Sequence, residues 1–156
     1  MIEIKVPGYG QLCISHLVLD YNGTLARDGK LIEGVGERLT ELAGQLEIHV
    51  LTADTFGGVA RELSAVPCSV FVIPIDDQAG AKAGYLRKLG PEGAVAIGNG
   101  RNDRIMLKEA ALGIATVQTE GASLEAVLAA DIASPNIVDA LDLLLHPLRL
   151  TATLRS

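Results

Sequence analysis

The sequence predicts an α/β fold, an open doubly wound parallel sheet with helices on both faces. Short aliphatic runs typical of buried strands alternate with longer segments in which apolar residues recur at helical spacing. Such alternation indicates parallel strands joined by right-handed helical crossovers. The predicted strands are 14–20, 47–52, 68–73, 94–98 and 112–117, and the predicted helices are 32–45, 56–66, 79–90, 101–111, 122–130 and 136–146.

The 156 residues are expected to form a single domain, 1–156. Apolar residues on either side of the turn PGYG indicate an N-terminal hairpin within 1–13. Residues 26–34 would form a small flap. For the C-terminal tail, 147–156, docking on the core, contact with a partner and fraying all remain open.

Composition limits the partners of the protein. The chain is 49% hydrophobic and carries a formal net charge of −6, whereas a surface for duplex nucleic acid needs clustered Lys and Arg. No apolar stretch reaches the roughly 18 to 20 residues that span a bilayer, and the N-terminus lacks the pattern of a signal peptide. We therefore expect a cytoplasmic protein that contacts neither nucleic acid nor membrane.

Polar residues follow the predicted strands at the point where each strand ends. Asp20 follows the first strand, Thr52 the second and the stretch 99–103 the fourth. Ligands of doubly wound sheets bind outside the carboxyl ends of the strands, so these residues should face one crevice.

The residues of this crevice are suited to phosphate chemistry. Asp20 is a candidate nucleophile, and the turn after it contains Thr24, whose hydroxyl and backbone N–H can face an anion. Thr52 can donate a hydrogen bond to a phosphoryl oxygen, and Lys82 supplies a positive charge. The segment GNGRND forms a polar turn at the start of a helix, typical of a metal-binding loop, and Gly98 and Gly100 let the backbone approach closely.

With these motifs the chain resembles the haloacid dehalogenase superfamily, a large group of phosphohydrolases that use an aspartate nucleophile. The resemblance covers about residues 14–145 and rests on four motifs in the family's order: LVLDYNGTL, LTADT, Lys82 and IGNGRNDRIML. Within the superfamily the chain most resembles the small, soluble P-type ATPase-like proteins of prokaryotes. LTADT and the segment from Lys82 through IGNGRNDRIML are similar to P-type ATPase motifs.

The resemblance implies a role for each matching residue. Asp20 would be the nucleophile that becomes an aspartyl phosphate, and Lys82 would pair with Asp20 and the phosphoryl group. The catalytic set would be Asp20, Asn22, Thr52 and Lys82, and the substrate-binding set Thr24 through its backbone, Thr52, Ala53 and Lys82. The implied cofactor is Mg²⁺, with Asp20, the backbone carbonyl of Asn22, Asn99 and Asp103 as its ligands.

Family members often carry a cap domain over the active site. Only about 30 residues separate Asp20 from Thr52, and Thr52 from Lys82, so we expect no cap domain and an open site. The implied partner is a phosphorylated small molecule or a phosphoprotein. A homo-oligomer, in which a neighbouring subunit closes the site, stays open.

Two amides depart from the family pattern. Asn22 stands where most family phosphatases have an aspartate that protonates the leaving group, and Asn99 where many have a metal-ligating aspartate. An amide has no useful proton to give, so we expect a phosphohydrolase that favours good leaving groups. The alternative is a catalytically weakened regulatory protein of the same fold that binds phosphate or Mg²⁺.

Two histidines, His16 and His49, lie on or near predicted strands outside these motifs. The sequence favours packed or edge residues at both positions.

Overall fold

A computed structural model describes residues 1–54 and 57–156. Thr55, which ends the LTADT motif, and Phe56, the first residue of the second predicted helix, lie outside the described residues. The strands are β1 (Ile2–Val6), β2 (Gly10–Ile14), β3 (His16–Asp20), β4 (Ala26–Arg27), β5 (Lys30–Leu31), β6 (Glu47–Thr52), β7 (Ser69–Val72), β8 (Ala94–Gly98), β9 (Leu112–Thr116) and β10 (Ile132–Ser134). The helices are α1 (Val35–Leu42), α2 (Gly58–Glu62), α3 (Gln78–Leu89), α4 (Arg104–Glu109), α5 (Leu124–Ala129), α6 (Ile137–Leu145) and α7 (Pro147–Leu154), with short 3-10 turns at Pro91–Gly93 and Arg101–Asp103.

Six parallel strands form the central sheet in the order β10-β9-β8-β3-β6-β7. From β3 the chain first builds towards one edge through β6 and β7, and then returns to add β8, β9 and β10 on the other side. The topological switch point therefore lies between β3 and β8. A crevice forms there because the two connections leave the carboxyl ends of these strands in opposite directions.

Helices cover both faces of this sheet, which confirms the predicted fold class. Leu17 and Leu19 of β3 point into a core cluster shared with α1 and α6, whereas Val18 points into a second cluster shared with α3, α4 and α5. Because successive strand residues point to opposite faces, a strand buried on both sides must be apolar throughout.

The amphipathic pattern of the helices matches the faces that they bury. In α1 the buried residues Val35, Leu39 and Leu42 recur at helical spacing. Helix α6 buries a similar stripe, and the Asn136 side chain caps its first turn by accepting from the N–H of Asp139.

The described elements differ from the predicted ones mainly in length. Strand β10 was not predicted, because three residues between two helices are too few for a recognisable pattern. The predicted strand 14–20 is divided at Ser15 between β2 and β3. The predicted helix 101–111 begins with a 3-10 turn, so that α4 itself starts only at Arg104.

Both chain ends pack against the core. Strands β1 and β2 form the expected antiparallel hairpin, which extends one residue beyond the predicted range 1–13 because Ile14 pairs with Ile2. The C-terminal tail, for which three outcomes were open, forms α7 from Pro147 to Leu154. Helix α7 contacts β1 and buries Leu150 completely, and the Ser156 N–H donates to the Pro7 carbonyl. The tail therefore docks on the hairpin.

The expected flap is a two-stranded ribbon of β4 and β5, which the Tyr21 hydroxyl supports by donating to the Gly29 carbonyl. Apart from this ribbon, residues 21–54 and 57–81 form only elements of the core, so the described part of the chain contains no cap domain. None of the helices in the described residues is long and apolar enough to cross a membrane.

Candidate active site

The predicted site residues meet at the carboxyl ends of the central strands. Asp20 is the last residue of β3, Thr52 the last of β6 and Gly98 the last of β8. Lys82 reaches this edge from the second turn of α3, a helix whose Leu86 packs in the same core cluster as Val18 of β3. The crevice therefore collects Asp20, Thr52 and Lys82 from three separate segments.

Lys82 lies between two carboxylates. Its Nζ donates to Asp20 Oδ1 at 2.6 Å and to Asp103 Oδ1 at 2.7 Å. The side chains of Lys82 and Asp103 are 1% and 0% exposed, whereas that of Asp20 is 10% exposed. Because charges buried without a partner are costly, the three groups depend on one another. Of the two carboxylates, only Asp20 reaches the surface of the crevice.

The electrostatics of the three groups are unbalanced, with two negative charges and one positive. Burial and the negative charge of Asp103 raise the pKa of Asp20 above its ordinary value, and the ammonium of Lys82 opposes this shift. Burial by itself lowers the pKa of Lys82, but the two carboxylates outweigh it and raise that pKa. Lys82 therefore stays charged, whereas Asp20 keeps a proton more readily than an ordinary carboxyl and would give it up when a cation offsets its negative charge.

Asp103 is held by its own loop as well as by Lys82. The backbone N–H groups of Asn99 and Gly100 donate to Asp103 Oδ2 at 3.0 and 2.8 Å. A side chain at position 98 would collide with this carboxylate, since a Cβ there would lie 2.5 Å from Asp103 Cγ. Glycine at 98 is thus required by close approach, as the sequence predicted.

Thr24 connects the nucleophile loop to the loop after β8. Its buried hydroxyl lies 3.1 Å from Asp20 Oδ2 and 3.2 Å from Asn99 Oδ1. Its backbone N–H, expected to face a phosphoryl oxygen, donates in this structure to the Tyr21 carbonyl at 3.2 Å. In this arrangement Thr24 positions Asp20 through its side chain.

Thr52 is 2% exposed, and its hydroxyl accepts from the N–H of Asp54 at 3.1 Å. A hydroxyl that accepts keeps its own proton for a second partner. Asp54 in turn accepts from the N–H of Val59 at the start of α2. Asp54 therefore connects the Thr52 hydroxyl to the start of α2.

Two proteins of Methanocaldococcus jannaschii are similar to this chain in sequence. The chain is 52% identical to Uncharacterized protein MJ0073 over 61 residues, which are 39% of this chain and 66% of MJ0073, just under two thirds of its length. It is 59% identical to Uncharacterized protein MJ0072 over 39 residues, which are 25% of this chain and 89% of MJ0072. The chain therefore belongs to one family with MJ0072. No protein-family model matches the chain.

Several solved structures have folds similar to that of this chain. A protein from Legionella pneumophila, described as a HAD (haloacid dehalogenase) superfamily, subfamily III A, hydrolase, superposes with a TM-score of 0.71 at 17% identity over 90% of this chain and 87% of that one. The chain has the haloacid dehalogenase fold.

Two phosphatases have the same HAD fold. The cobalt-bound deoxy-D-mannose-octulosonate 8-phosphate phosphatase of Haemophilus influenzae gives a TM-score of 0.72 at 13% identity, covering 92% of this chain and 94% of that one. The 3-deoxy-D-manno-octulosonate 8-phosphate phosphatase of Moraxella catarrhalis, in complex with magnesium, phosphate and its sugar, gives 0.67 at 18% identity, covering 85% and 86%. These likenesses confirm the predicted superfamily fold, whereas the similarity to P-type ATPase-like proteins stays a prediction.

The oxygens of this HAD crevice fit a hard divalent cation. Asp20 Oδ2 and Asn99 Oδ1 contact the same Thr24 hydroxyl, so they border one space. Asp103 lies deeper, with one oxygen bound to Lys82 and the other to two backbone N–H groups. Mg²⁺ keeps several of its waters in proteins, so a site with few direct protein oxygens suits it. Asp103 fits best as a ligand through water.

Asn22 stands at the mouth of the crevice. It is exposed, and together with Tyr21, Ala53 and Asp54 it lines a cavity of about 500 Å³. Asn99 is more constrained, because its Nδ2 donates to the Gly121 carbonyl at 3.0 Å. The two amides therefore occupy different environments, since Asn22 is exposed beside a cavity and Asn99 is fixed by a hydrogen bond to the Gly121 carbonyl.

Sequence reasoning missed Gln118, which holds the nucleophile loop in place. Its Nε2 donates to the carbonyls of Gly23 and Thr24 at 2.9 and 2.7 Å, and its Oε1 accepts from the N–H of Ile137 at 3.0 Å. Gln118 lies two residues after β9, at the same edge of the sheet as Asp20. Gln118 directly follows the predicted strand 112–117, so the rule that ligand-binding residues follow strand ends would have identified it as a candidate.

Proposed function

We propose that this protein is a Mg²⁺-dependent phosphohydrolase whose nucleophile is Asp20. The observation that carries the proposal is the hydrogen bond of 2.6 Å from the buried Lys82 Nζ to Asp20 Oδ1. Lys82 also binds Asp103, but of these two carboxylates only Asp20 is accessible from the crevice. A lysine needed only for packing would have no reason to lie at the topological switch point of the sheet, where it binds one buried and one accessible carboxylate. The HAD fold and its phosphatase neighbours support the same reaction class.

Each residue has a task in this proposal. A carboxylate oxygen of Asp20 attacks phosphorus, the bond from phosphorus to the leaving group breaks, and the leaving group departs with the electron pair. Water then attacks the phosphorus of the aspartyl phosphate, the bond to Asp20 breaks, and inorganic phosphate leaves. Lys82 and the Thr52 hydroxyl stabilise the charge on the transferring group, with Ala53 beside them.

Mg²⁺ would be held by Asp20, the Asn22 carbonyl and Asn99, with Asp103 acting through water. When bound, it offsets the negative charge of the nucleophile and of the phosphate. When Asp20 is ionised, Lys82 balances only one of the two carboxylate charges of Asp20 and Asp103, which supports a cation at this position.

Asn22 decides the preferred substrate. General acid catalysis is worth about 10² to 10⁴ in rate, and an amide at the mouth of the crevice supplies none of it. Carboxylates, phosphates and aryl oxides leave without a proton, whereas alkoxides do not. We therefore expect acyl phosphates, phosphoanhydrides and aryl phosphates to react faster than alkyl phosphates, whether the phosphate is carried by a small molecule or by a protein.

The test is Mg²⁺-dependent release of phosphate from acetyl phosphate and p-nitrophenyl phosphate. Asp20→Asn should abolish release, and Asp76→Asn, the same change at an exposed position, should not. Equal activity in the wild type and Asp20→Asn would overturn the proposal. In that case, binding of phosphate or Mg²⁺ without turnover would identify a regulatory protein of the same fold. An alkyl phosphate as the best substrate would overturn the leaving-group preference alone.

A further inference from the structure

A second cluster of ligating side chains lies at the opposite end of the same strands. His16 is the first residue of β3, and Glu47 and His49 lie in the first half of β6. The parallel register pairs His16 with Glu47 and Val18 with His49, so all three ligating side chains project from one face of the sheet. Asp20 ends β3 four residues further on, at the carboxyl edge, so the cluster is separate from the candidate active site.

The three ligating atoms are close together. His16 Nδ1 lies 3.2 Å from His49 Nε2 and 3.5 Å from Glu47 Oε2, and His49 Nε2 lies 4.0 Å from Glu47 Oε2. The point equidistant from these atoms is about 2.1 Å from each, which is the length of a zinc–imidazole or zinc–carboxylate bond. A metal ion therefore fits at this point with only small movements of the side chains.

We propose that His16, Glu47 and His49 bind a divalent transition-metal ion of the zinc type. Two imidazoles and one carboxylate are a donor set that zinc accepts and that magnesium, which prefers oxygen ligands, does not. The set is distinct from the oxygen site at Asp20 in position and in selectivity.

The surroundings of His49 are those of a metal ligand held in place. Its second ring nitrogen, Nδ1, lies 2.9 Å from the Tyr85 hydroxyl, and Phe71 stacks near its ring. A ligating histidine usually gives its other N–H to such a partner, which fixes the tautomer that leaves Nε2 for the metal. Tyr85 is therefore a positioning residue for the site.

The site is closed on the protein side and open towards solvent. The side chain of His49 is 8% exposed and that of His16 is 18% exposed, whereas that of Glu47 is 75% exposed. Zinc prefers four ligands, so the fourth position would be filled by water. An ion can enter from the Glu47 side without unfolding the sheet.

Direct metal binding to the full-length chain tests this proposal. After treatment with a chelator, the wild type should bind one equivalent of Zn²⁺ by calorimetry, melt at a higher temperature with Zn²⁺, and give the strong visible absorption of tetrahedral Co²⁺ when cobalt is added. His16→Gln should lose this binding, and Glu47→Gln should weaken it. Tyr85→Phe should weaken it about tenfold, as the loss of an outer partner does.

The chain supplies a matched control, His146→Gln, because His146 is exposed and lies outside the cluster. It should bind Zn²⁺ as the wild type does. Glu47 is exposed, so Glu47→Gln tests the site without threatening the fold even if the change at His16 perturbs β3. The proposal is overturned if His16→Gln and Glu47→Gln bind like His146→Gln, or if Zn²⁺ binding is lost in Asp20→Asn instead. Neither result would affect the proposed phosphohydrolase activity, which is measured with Mg²⁺.

Discussion

The two ends of the central sheet are built in different ways from the same two strands. At the carboxyl end, Asp20 is the last residue of β3 and depends on groups from other elements, namely Lys82 of α3, Thr24 and the loop after β8. At the amino end, His16, Glu47 and His49 project from β3 and β6 themselves, and Tyr85 of α3 and Phe71 of β7 contact His49. Helix α3 serves both ends, since it carries Lys82 and, one turn later, Tyr85.

This difference teaches where each end is vulnerable. The carboxyl end concentrates buried charge, so a single change there should cost both stability and activity. The amino end is half open to solvent and takes its geometry from the register of the sheet, so changes there should alter ligand binding more than folding. The following variants test the contrast, beginning with the largest expected effect.

Removal of the buried ammonium should have the largest effect. Lys82→Met leaves Asp20 and Asp103 without their shared cation, and breaking a buried ion pair typically costs about 3–5 kcal/mol. Phosphate release should be abolished as well. Urea unfolding should show the loss, whereas Lys88→Met, on the exposed side of the same helix, should be close to the wild type. Equal stability of the two variants would contradict the interdependence of the three buried charges.

Restoring a carboxylate at the mouth of the crevice should increase activity. Asn22→Asp supplies a general acid where the amide has none, and turnover of an alkyl phosphate such as glycerol phosphate should rise by about 10²-fold or more. Steady-state kinetics would measure the gain. Asn102→Asp adds the same charge to the 3-10 turn beside the crevice and should give no increase, so similar rates in the two variants would refute the role of position 22.

Crowding the loop after β8 should be moderately destabilising. A methyl group at Gly98 would lie 2.5 Å from Asp103 Cγ, so Gly98→Ala should cost about 1–3 kcal/mol, as other overpacking substitutions do, and should lower activity. Gly84→Ala in α3 meets nothing within 4 Å and should be stabilising by up to about 1 kcal/mol. Thermal unfolding of both variants would show whether the loss of stability comes from close approach to Asp103 or from replacing any glycine. Equal losses in the two variants would contradict the close approach.

Removing an ion pair that lies away from both ends of the sheet should have the smallest effect on stability. Arg38 joins α1 to Asp142 of α6 at 2.7 Å, and its hydrogen bond lowers the pKa of Asp142. A lowered carboxyl pKa gives stability that is present above the unfolded value, about 3.9, and is lost as the pH falls through the folded value. Asp142→Asn should therefore differ from the wild type by less than about 1 kcal/mol at pH 7. Urea unfolding between pH 7 and 3 should show the two converging; a constant difference would contradict the linkage.

Much of the carboxyl end could be predicted from the sequence because its information is local. A buried apolar run followed at once by Asp20 or Thr52 predicts both the strand and the edge where the residue lies. The resemblance to family motifs then predicted that Lys82 pairs with Asp20, and in the structure Lys82 Nζ donates a hydrogen bond to Asp20 Oδ1. The sequence also predicted that glycine at 98 lets the backbone approach another group closely, and the structure shows that this group is the Asp103 carboxylate.

Other features depend on contacts between distant segments and could only be seen in the tertiary structure. Gln118 bonds to the backbone of a loop about 95 residues earlier, and α7 packs on the first strand. The side chain of Thr24 is placed on Asp20 and Asn99, while its backbone N–H is taken by the turn. No local pattern specifies which hydrogen bond such a residue will make, because the choice depends on groups brought near by the fold.

The histidine cluster marks this division most clearly. The sequence by itself predicted that His16 lies within a strand over 14–20, that Glu47 begins a strand over 47–52, and that Glu47 and His49, two residues apart, share one face. Only the tertiary structure decided that β3 pairs with β6 in the register that places His16 opposite Glu47. A slip of one residue would turn one member to the other face, because side chains alternate along a strand. The packing of both sheet faces selects that register, and with it the distances that permit a metal ion.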